Sequence, residues 1–239
     1  MPEGETGPQA AGSQLPKRPG PSSQKGEFSL MMAGVGGQGL VLLSSIIGSA
    51  GALSNMRVVT GEQHGLSQRS GSIQVHLRIG PGVRSPLIPV GSADALLSLE
   101  ALETLRYIEY LRDGGVAIIN SRVMHPVTET SELVRDRKAP QKYLGLEEVV
   151  RRLETVTPHV LTLDALELAN RAGNPLTENV VLLGAMCVLE AFPIPPEPLR
   201  DAIRRMVPAK AVEANLRAFE VGARAARERF CRALACRAL

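Results

Sequence analysis

The run Phe28-Ser29-Leu30-Met31-Met32-Ala33 passes directly into Gly34-Val35-Gly36-Gly37-Gln38-Gly39, and an apolar stretch with helical spacing follows. No other feature constrains the fold as much. A short apolar run bounded by glycine predicts a strand buried on both faces. Beyond the loop, Leu40, Leu43, Ile46 and Ile47 recur at helical intervals, and Val41 and Leu42 widen the apolar face. A helix from about Gln38 to Leu53 follows from that spacing. Strand, glycine turn and helix open a doubly wound unit, so the expected class is α/β: a Rossmann-like three-layer open sheet, mostly parallel, with a helical C-terminal part.

The rest of the chain sustains the pattern. Arg57–Thr60 reads as a second strand, and Gly61 to Gly71 as a polar loop. Ser72–Ile79 alternates strictly, which predicts a strand with one buried face and puts His76 on the polar side as a surface or interface residue. Pro81-Gly82 turns the chain, and Ser85–Pro89 reads as an edge strand or connector. Asp94–Leu99 is a buried strand, Glu100–Leu111 a helix, Asp113-Gly114-Gly115 a turn, and Gly115–Asn120 a further strand. A polar connection from Ser121 to Gln141 precedes a helix at Leu146–Leu153, a strand at His159–Leu163 and a helix at Asp164–Ala172 that ends at Gly173. Helices then run over Thr177–Ala191, Pro198–Met206 and from Lys210 to the C-terminus.

Three segments result. Ten of the first 26 residues are Gly or Pro, so residues 1–26 read as a disordered leader. Residues 27–223 form the α/β domain. Residues 224–239 form an arginine-rich helical tail in which five arginines accompany a single acid, Glu228, as a solvated face does.

Composition excludes several classes of function. Aromatic content is 3% with no Trp, so base stacking has few candidates, and the net charge of +3 makes no dense basic patch. Nucleic acid is not an expected partner. No stretch reaches the roughly 18 apolar residues of a membrane span, and the leader lacks an apolar signal core, which predicts a cytoplasmic protein with no membrane partner. The three cysteines, Cys187, Cys231 and Cys236, contain no C-x-x-C pair. An iron-sulfur cluster or zinc within this chain is therefore not expected, and the cysteines read as free thiols in a reducing compartment.

Gly34, Gly36 and Gly39 satisfy G-x-G-x-x-G between strand and helix, with Gly37 and Gln38 inside it. Glycines let backbone N–H groups approach a phosphate, and a helix N-terminus adds about half a positive charge. Glu62 follows the second strand near the place where a dinucleotide fold carries its ribose-binding acid. That supports an NAD enzyme or, more broadly, a free-standing nucleotide-binding or regulatory module. The alternative is that the glycines only allow tight packing of helix on strand, and Gln38 either touches a ligand or braces the loop.

A second cluster, Glu62-Gln63-His64-Gly65-Leu66-Ser67-Gln68-Arg69-Ser70-Gly71-Ser72, follows strand two on the same sheet edge as the glycine loop. With that loop, and with Ser85-Pro86-Leu87-Ile88-Pro89, Ala93-Asp94-Ala95-Leu96-Leu97, Gly173-Asn174-Pro175, Asn179 and Asn215-Leu216-Arg217-Ala218-Phe219-Glu220, it resembles the gamma-type domain of the 2-oxoacid:ferredoxin oxidoreductases, and within them the indolepyruvate branch. The likeness spans roughly Phe28 to Ala223 and departs from the commonest wording at Ser70, where a second glycine is usual.

The resemblance implies the beta (gamma-type) subunit of an enzyme, inactive alone. The complex decarboxylates an aryl 2-oxoacid, passes the acyl group to coenzyme A and reduces ferredoxin. It implies no cofactor on this chain; thiamine diphosphate, magnesium and iron-sulfur clusters belong to a partner alpha subunit. The loop of Gly34, Gly36, Gly37, Gln38 and Gly39 is expected either beside the coenzyme A or acyl channel or simply against the alpha subunit. Glu62, His64, Gly65, Ser67, Gln68, Arg69, Gly71, Ser72 and Asn174 are expected at the substrate or subunit interface. Arg69 either pairs with a carboxylate or phosphate or locks to Glu62. His64 either moves a proton near the thiamine site or is structural. Asn174, before Pro175, is a turn residue first. No catalytic residue and no metal ligand is assigned.

Overall fold

The computed structural model describes residues 26–65, 71–124 and 144–237. The leader, apart from Gly26, lies outside them, as do Leu66 to Ser70 and His125.

β1 (Phe28–Val35) is buried along its whole length at the centre of a six-stranded sheet. The others are β2 (Val58–His64), β3 (Ser72–Ile79), β4 (Ala93–Ser98), β5 (Leu111–Asn120) and β6 (Val160–Leu163), in the order β2-β3-β1-β4-β5-β6. β3 runs antiparallel to both β1 and β2, and β1, β4, β5 and β6 pair in parallel. The sheet is thus mostly parallel, with one reversed strand.

Alternation along β1 sorts its side chains between two layers. Phe28, Leu30 and Met32 join α1 (Leu40–Leu53) and the C-terminal helices on one face. Met31 joins α2 (Ala101–Arg106) and α3 (Leu146–Leu153) on the other. The first face carries most of the core, with α4 (Ala165–Arg171), α5 (Glu178–Cys187), α6 (Pro196–Met206) and α7 (Val212–Phe230). α5 and α7 touch backbone to backbone: a Cβ on Gly184 would lie 2.8 Å from the Phe219 carbonyl carbon, and one on Gly222 2.7 Å from that of Val181.

Several expectations need correction. β2 extends to His64, so Glu62 and His64 stand on a strand rather than in a loop; it is an edge strand paired by backbone to β3, and such a strand does not need an apolar pattern. The expected helix Glu100–Leu111 is shorter, α2 giving way to a 3-10 turn at Ile108–Tyr110. Gly114 (φ 68°) lies within β5, where the register to β4 shifts, so the turn is a bulge. Ser85–Pro89 is a connector. It covers the second face of β3, which buries His76 (3% exposed): its Nδ1 accepts from the Ile88 N–H at 3.1 Å, and its ring meets Tyr110 edge-on. His76 is not a surface residue.

The tail also departs from the expected arginine-rich helix. α7 crosses the expected boundary at residue 224 without a break, because Ala226 and Phe230 are buried. It ends at Phe230, and residues 231–237 turn back onto the body. Cys231 and Cys236 form a disulfide instead of remaining thiols, their Cα atoms 5.5 Å apart. Cys236 bridges to Leu189, the Arg237 N–H donates to the Val188 carbonyl, and the Arg237 guanidinium to the carbonyls of Ile194 and Phe192. Arg237 is a clamp, not part of a solvated helix face. Cys187 is buried, and burial pushes its thiol up to about 12. Among the described residues no helix is long and apolar enough to cross a membrane.

Candidate functional site

The chain leaves β1 for α1 on one face and β4 for α2 on the other, so the carboxyl ends of these adjacent strands form a topological switch point, where open α/β sheets bind ligands. The glycine loop stands there, and its geometry assigns separate tasks to its residues. Gly37 and Gly39 have φ of 95° and 80°, in the left-handed region. A Cβ on Gly39 would meet Asn179 Nδ2 at 2.6 Å, whereas one on Gly37 would meet nothing within 4 Å. Gly39 is therefore a packing position, and Gly37 opens to space. Gly34 pairs with Ile73 inside the sheet.

Gln38 braces the loop. Its Oε1 accepts from the Val35 N–H at 2.8 Å, and its Nε2 donates to the Leu99 carbonyl at 3.2 Å, tying the end of β1 to the end of β4. The Gly36 N–H donates to the Gly71 carbonyl at 2.9 Å and Gln38 N–H to Val35 at 3.2 Å, so two loop donors are already engaged within the protein. No side chain caps α1, whose first-turn N–H groups point at the switch point.

The second cluster meets the same edge in part. Gly65 N–H donates to the Ser72 carbonyl, closing the β2–β3 end, and the Ser72 hydroxyl bonds the Glu103 carboxylate and lies 2.6 Å from the Tyr107 hydroxyl. His64 is exposed at the end of β2. Ser67, Gln68 and Arg69 lie outside the described residues. Glu62 does not occupy a ribose-binding place: β3 intervenes between β1 and β2, and the Glu62 carboxylate accepts from Ser44 of α1 at 2.8 Å. That removes the main support for a dinucleotide site. Asn174 caps the 3-10 turn Pro175–Thr177 by accepting from the Leu176 N–H, which is the turn role.

A cleft of about 150 Å³ opens beside the loop, lined by Gly37, Gln38, Leu99, Arg122, Pro175, Leu176 and Glu178. It is smaller than the roughly 300–1,000 Å³ pockets that enclose whole ligands, so it takes one group of a larger molecule. Arg122, just past β5, donates to Glu178 Oε1 at 3.1 Å. Behind them Asn120, 1% exposed, donates to Glu178 Oε2 at 2.8 Å and to the Leu99 carbonyl, and accepts from the Ala165 N–H. Glu100, also buried, accepts from the N–H groups of Glu103 and Met124 and so fixes the chain beyond Arg122. Sequence reasoning missed Asn120, Arg122 and Glu178. The usable signal was position, since residues directly after parallel strands line such crevices.

Among the described residues no three His, Cys, Asp or Glu side chains converge to hold a metal. The cysteines do not suit a cluster: two are bonded to each other, and the third is buried as an uncharged thiol.

Residues 29–225 match the family described as pyruvate ferredoxin/flavodoxin oxidoreductase. Over 203 residues the chain is 40% identical to the indolepyruvate oxidoreductase subunit IorB of Pyrococcus horikoshii, covering 84% of this chain and 97% of that protein. It is 39% identical to the IorB of Archaeoglobus fulgidus over 195 residues, 82% and 93% of the two. Among solved structures, the gamma subunit of keto/oxoacid ferredoxin oxidoreductase from Geobacter sulfurreducens superposes with a TM-score of 0.60 at 25% identity, over 84% of this chain and 99% of that one. A 2-oxoglutarate:ferredoxin oxidoreductase from Magnetococcus marinus shares the fold over 86% of this chain but only 32% of its own, with a TM-score of 0.62 at 16% identity.

Proposed function

The chain belongs to the pyruvate ferredoxin/flavodoxin oxidoreductase family, and from that premise we propose that it is the beta (gamma-type) subunit of an indolepyruvate:ferredoxin oxidoreductase. The observation that carries this reading is the near end-to-end likeness to IorB subunits at 36–40% identity. The complex would convert an aryl 2-oxoacid, coenzyme A and two oxidised ferredoxins into the aryl acyl-coenzyme A, carbon dioxide, a proton and two reduced ferredoxins. Thiamine diphosphate with magnesium supplies the electron sink for decarboxylation, and iron-sulfur clusters carry the electrons. Both belong to an alpha subunit in this reading, and the poor fit of this chain's cysteines to a cluster supports that division.

This chain's own part is to form one wall of the reaction site. The cleft admits only one group of a ligand, and Gly37 and Gln38, in the turn that leads into α1, line it. A phosphate-bearing portion of coenzyme A suits those donors. His64, Gly65, Gly71 and Ser72, with Ser67, Gln68 and Arg69, would meet the substrate or the alpha subunit. The test is co-expression with a thiamine-containing alpha subunit and assay of ferredoxin reduction by indolepyruvate and coenzyme A. Activity should require both chains. Full activity of this chain alone, failure to assemble with that partner, or tight NAD binding by the isolated chain would overturn the proposal.

A further inference from the structure

We propose that Arg122 is an oxyanion-binding residue of the switch-point cleft, held by Glu178 until a substrate phosphate or carboxylate takes the carboxylate's place. The inference rests on the functional reading above and names a residue that acts at the same site.

The two partners are anchored unequally. Glu178 is 18% exposed in its side chain, sits at the start of α5, and has its second oxygen held by buried Asn120. Arg122 is 43% exposed, and among the described residues its guanidinium makes one hydrogen bond, from Nη1 to Glu178 Oε1. Its backbone, by contrast, is fixed, because its carbonyl accepts from the Ala101 N–H at 2.9 Å. The arginine is therefore the partner free to move: a rooted main chain carries a head group with donors to spare, and guanidinium matches planar or tetrahedral oxyanions bidentately. The pair lines an open cleft together with a positive-φ glycine, Gly37, and an 86%-exposed leucine, Leu176, so a ligand group can reach it. Exposed pairs of this kind contribute little to stability, so exchanging one anion for another costs little. Glu178 thereby acts as an internal competitor that keeps the cleft neutral when no ligand is present.

The test uses the assembled two-subunit complex as wild type, Arg122→Gln, Arg122→Lys and Glu178→Gln. KM is measured separately for coenzyme A and for the 2-oxoacid, which tells whether the oxyanion is a phosphate or a carboxylate. Arg122→Gln should raise one of these constants about tenfold, as loss of a charge-assisted hydrogen bond does. Arg122→Lys should recover part of that loss. Glu178→Gln should lower the same constant, because the amide keeps its bond to Asn120 but releases the guanidinium.

A merely structural ion pair predicts the same direction for Arg122→Gln and Glu178→Gln, since either one breaks it. Equal direction, no change in either constant, or loss of assembly on Arg122→Gln overturns the proposal. Calorimetric titration of coenzyme A and of the 2-oxoacid into the same complexes reads the same order without turnover. A wild-type complex inactive toward indolepyruvate would overturn the functional reading, while the order of affinities still decides Arg122.

Discussion

Alanine at Gly222 should destabilise the helical half of the protein, although alanine is the better helix former. In the crossing of α5 and α7, the added Cβ would stand 2.7 Å from the Val181 carbonyl carbon and 3.0 Å from its Cα, inside the 3.4 Å at which ordinary contact begins. The obstacle is main chain, which cannot rotate aside, so the helices must separate or bend. Overpacking costs about 1–3 kcal/mol, and a site closed by backbone belongs at the upper end. The gain in helix propensity is about 1 kcal/mol. The net loss is then about 2 kcal/mol, or a fall in melting temperature of about 4–8 °C for a domain of this size. Gly48 provides the control. It lies in α1 with nothing within 4 Å of an added Cβ, so Gly48→Ala should keep the propensity gain and melt about 2–4 °C higher. Thermal unfolding followed by circular dichroism reads both variants. If Gly222→Ala melts at or above the wild-type temperature, or both variants shift in the same direction, the close helix crossing is not what requires glycine.

Burial lowers the His76 imidazole below its ordinary value of 6.5, so the folded protein favours the neutral ring that accepts from Ile88. Stability from this group is complete above 6.5 and is lost as pH falls from there through the lowered folded value; urea titrations over that window should show a decline that flattens in His76→Gln. Alkylation of the native, unreduced chain should label no cysteine, mild reduction should add Cys231 and Cys236, and only unfolding should expose Cys187; mass spectrometry counting a label on native Cys187 would contradict its burial. Gln38→Ala strips partners from the Val35 N–H and the Leu99 carbonyl, so denaturant melts should show a loss of about 1–3 kcal/mol. An unchanged midpoint would mean that water replaces the amide fully.

Local pattern exposed those parts of the fold in which burial follows the chain's own periodicity. β1, α1, β4 and α3 are legible because their apolar residues repeat at strand or helix spacing. β2 is legible only in its first residues, since Glu62, Gln63 and His64 are held by backbone pairing to β3 on an exposed edge, and backbone pairing has no side-chain signature. The disulfide likewise has no local sign. Cys231 and Cys236 meet because α7 stops at Phe230 and the following residues turn back to pair with Leu189, a contact across more than 40 residues of sequence.

The glycine loop and the family likeness were determined by the sequence alone, because both rest on residue types at fixed short spacings. What the loop faces was decided only in three dimensions. The reversed β3 places itself between β1 and β2 and moves Glu62 away from the loop, while the parallel strands β4 and β5 deliver Leu99 and Arg122 to it. Glu178 arrives from more than 50 residues beyond Arg122, held by an asparagine at the end of β5. Such a site is assembled from single residues at the ends of separate elements, each locally unremarkable, and it exists only once the sheet order has brought those ends together.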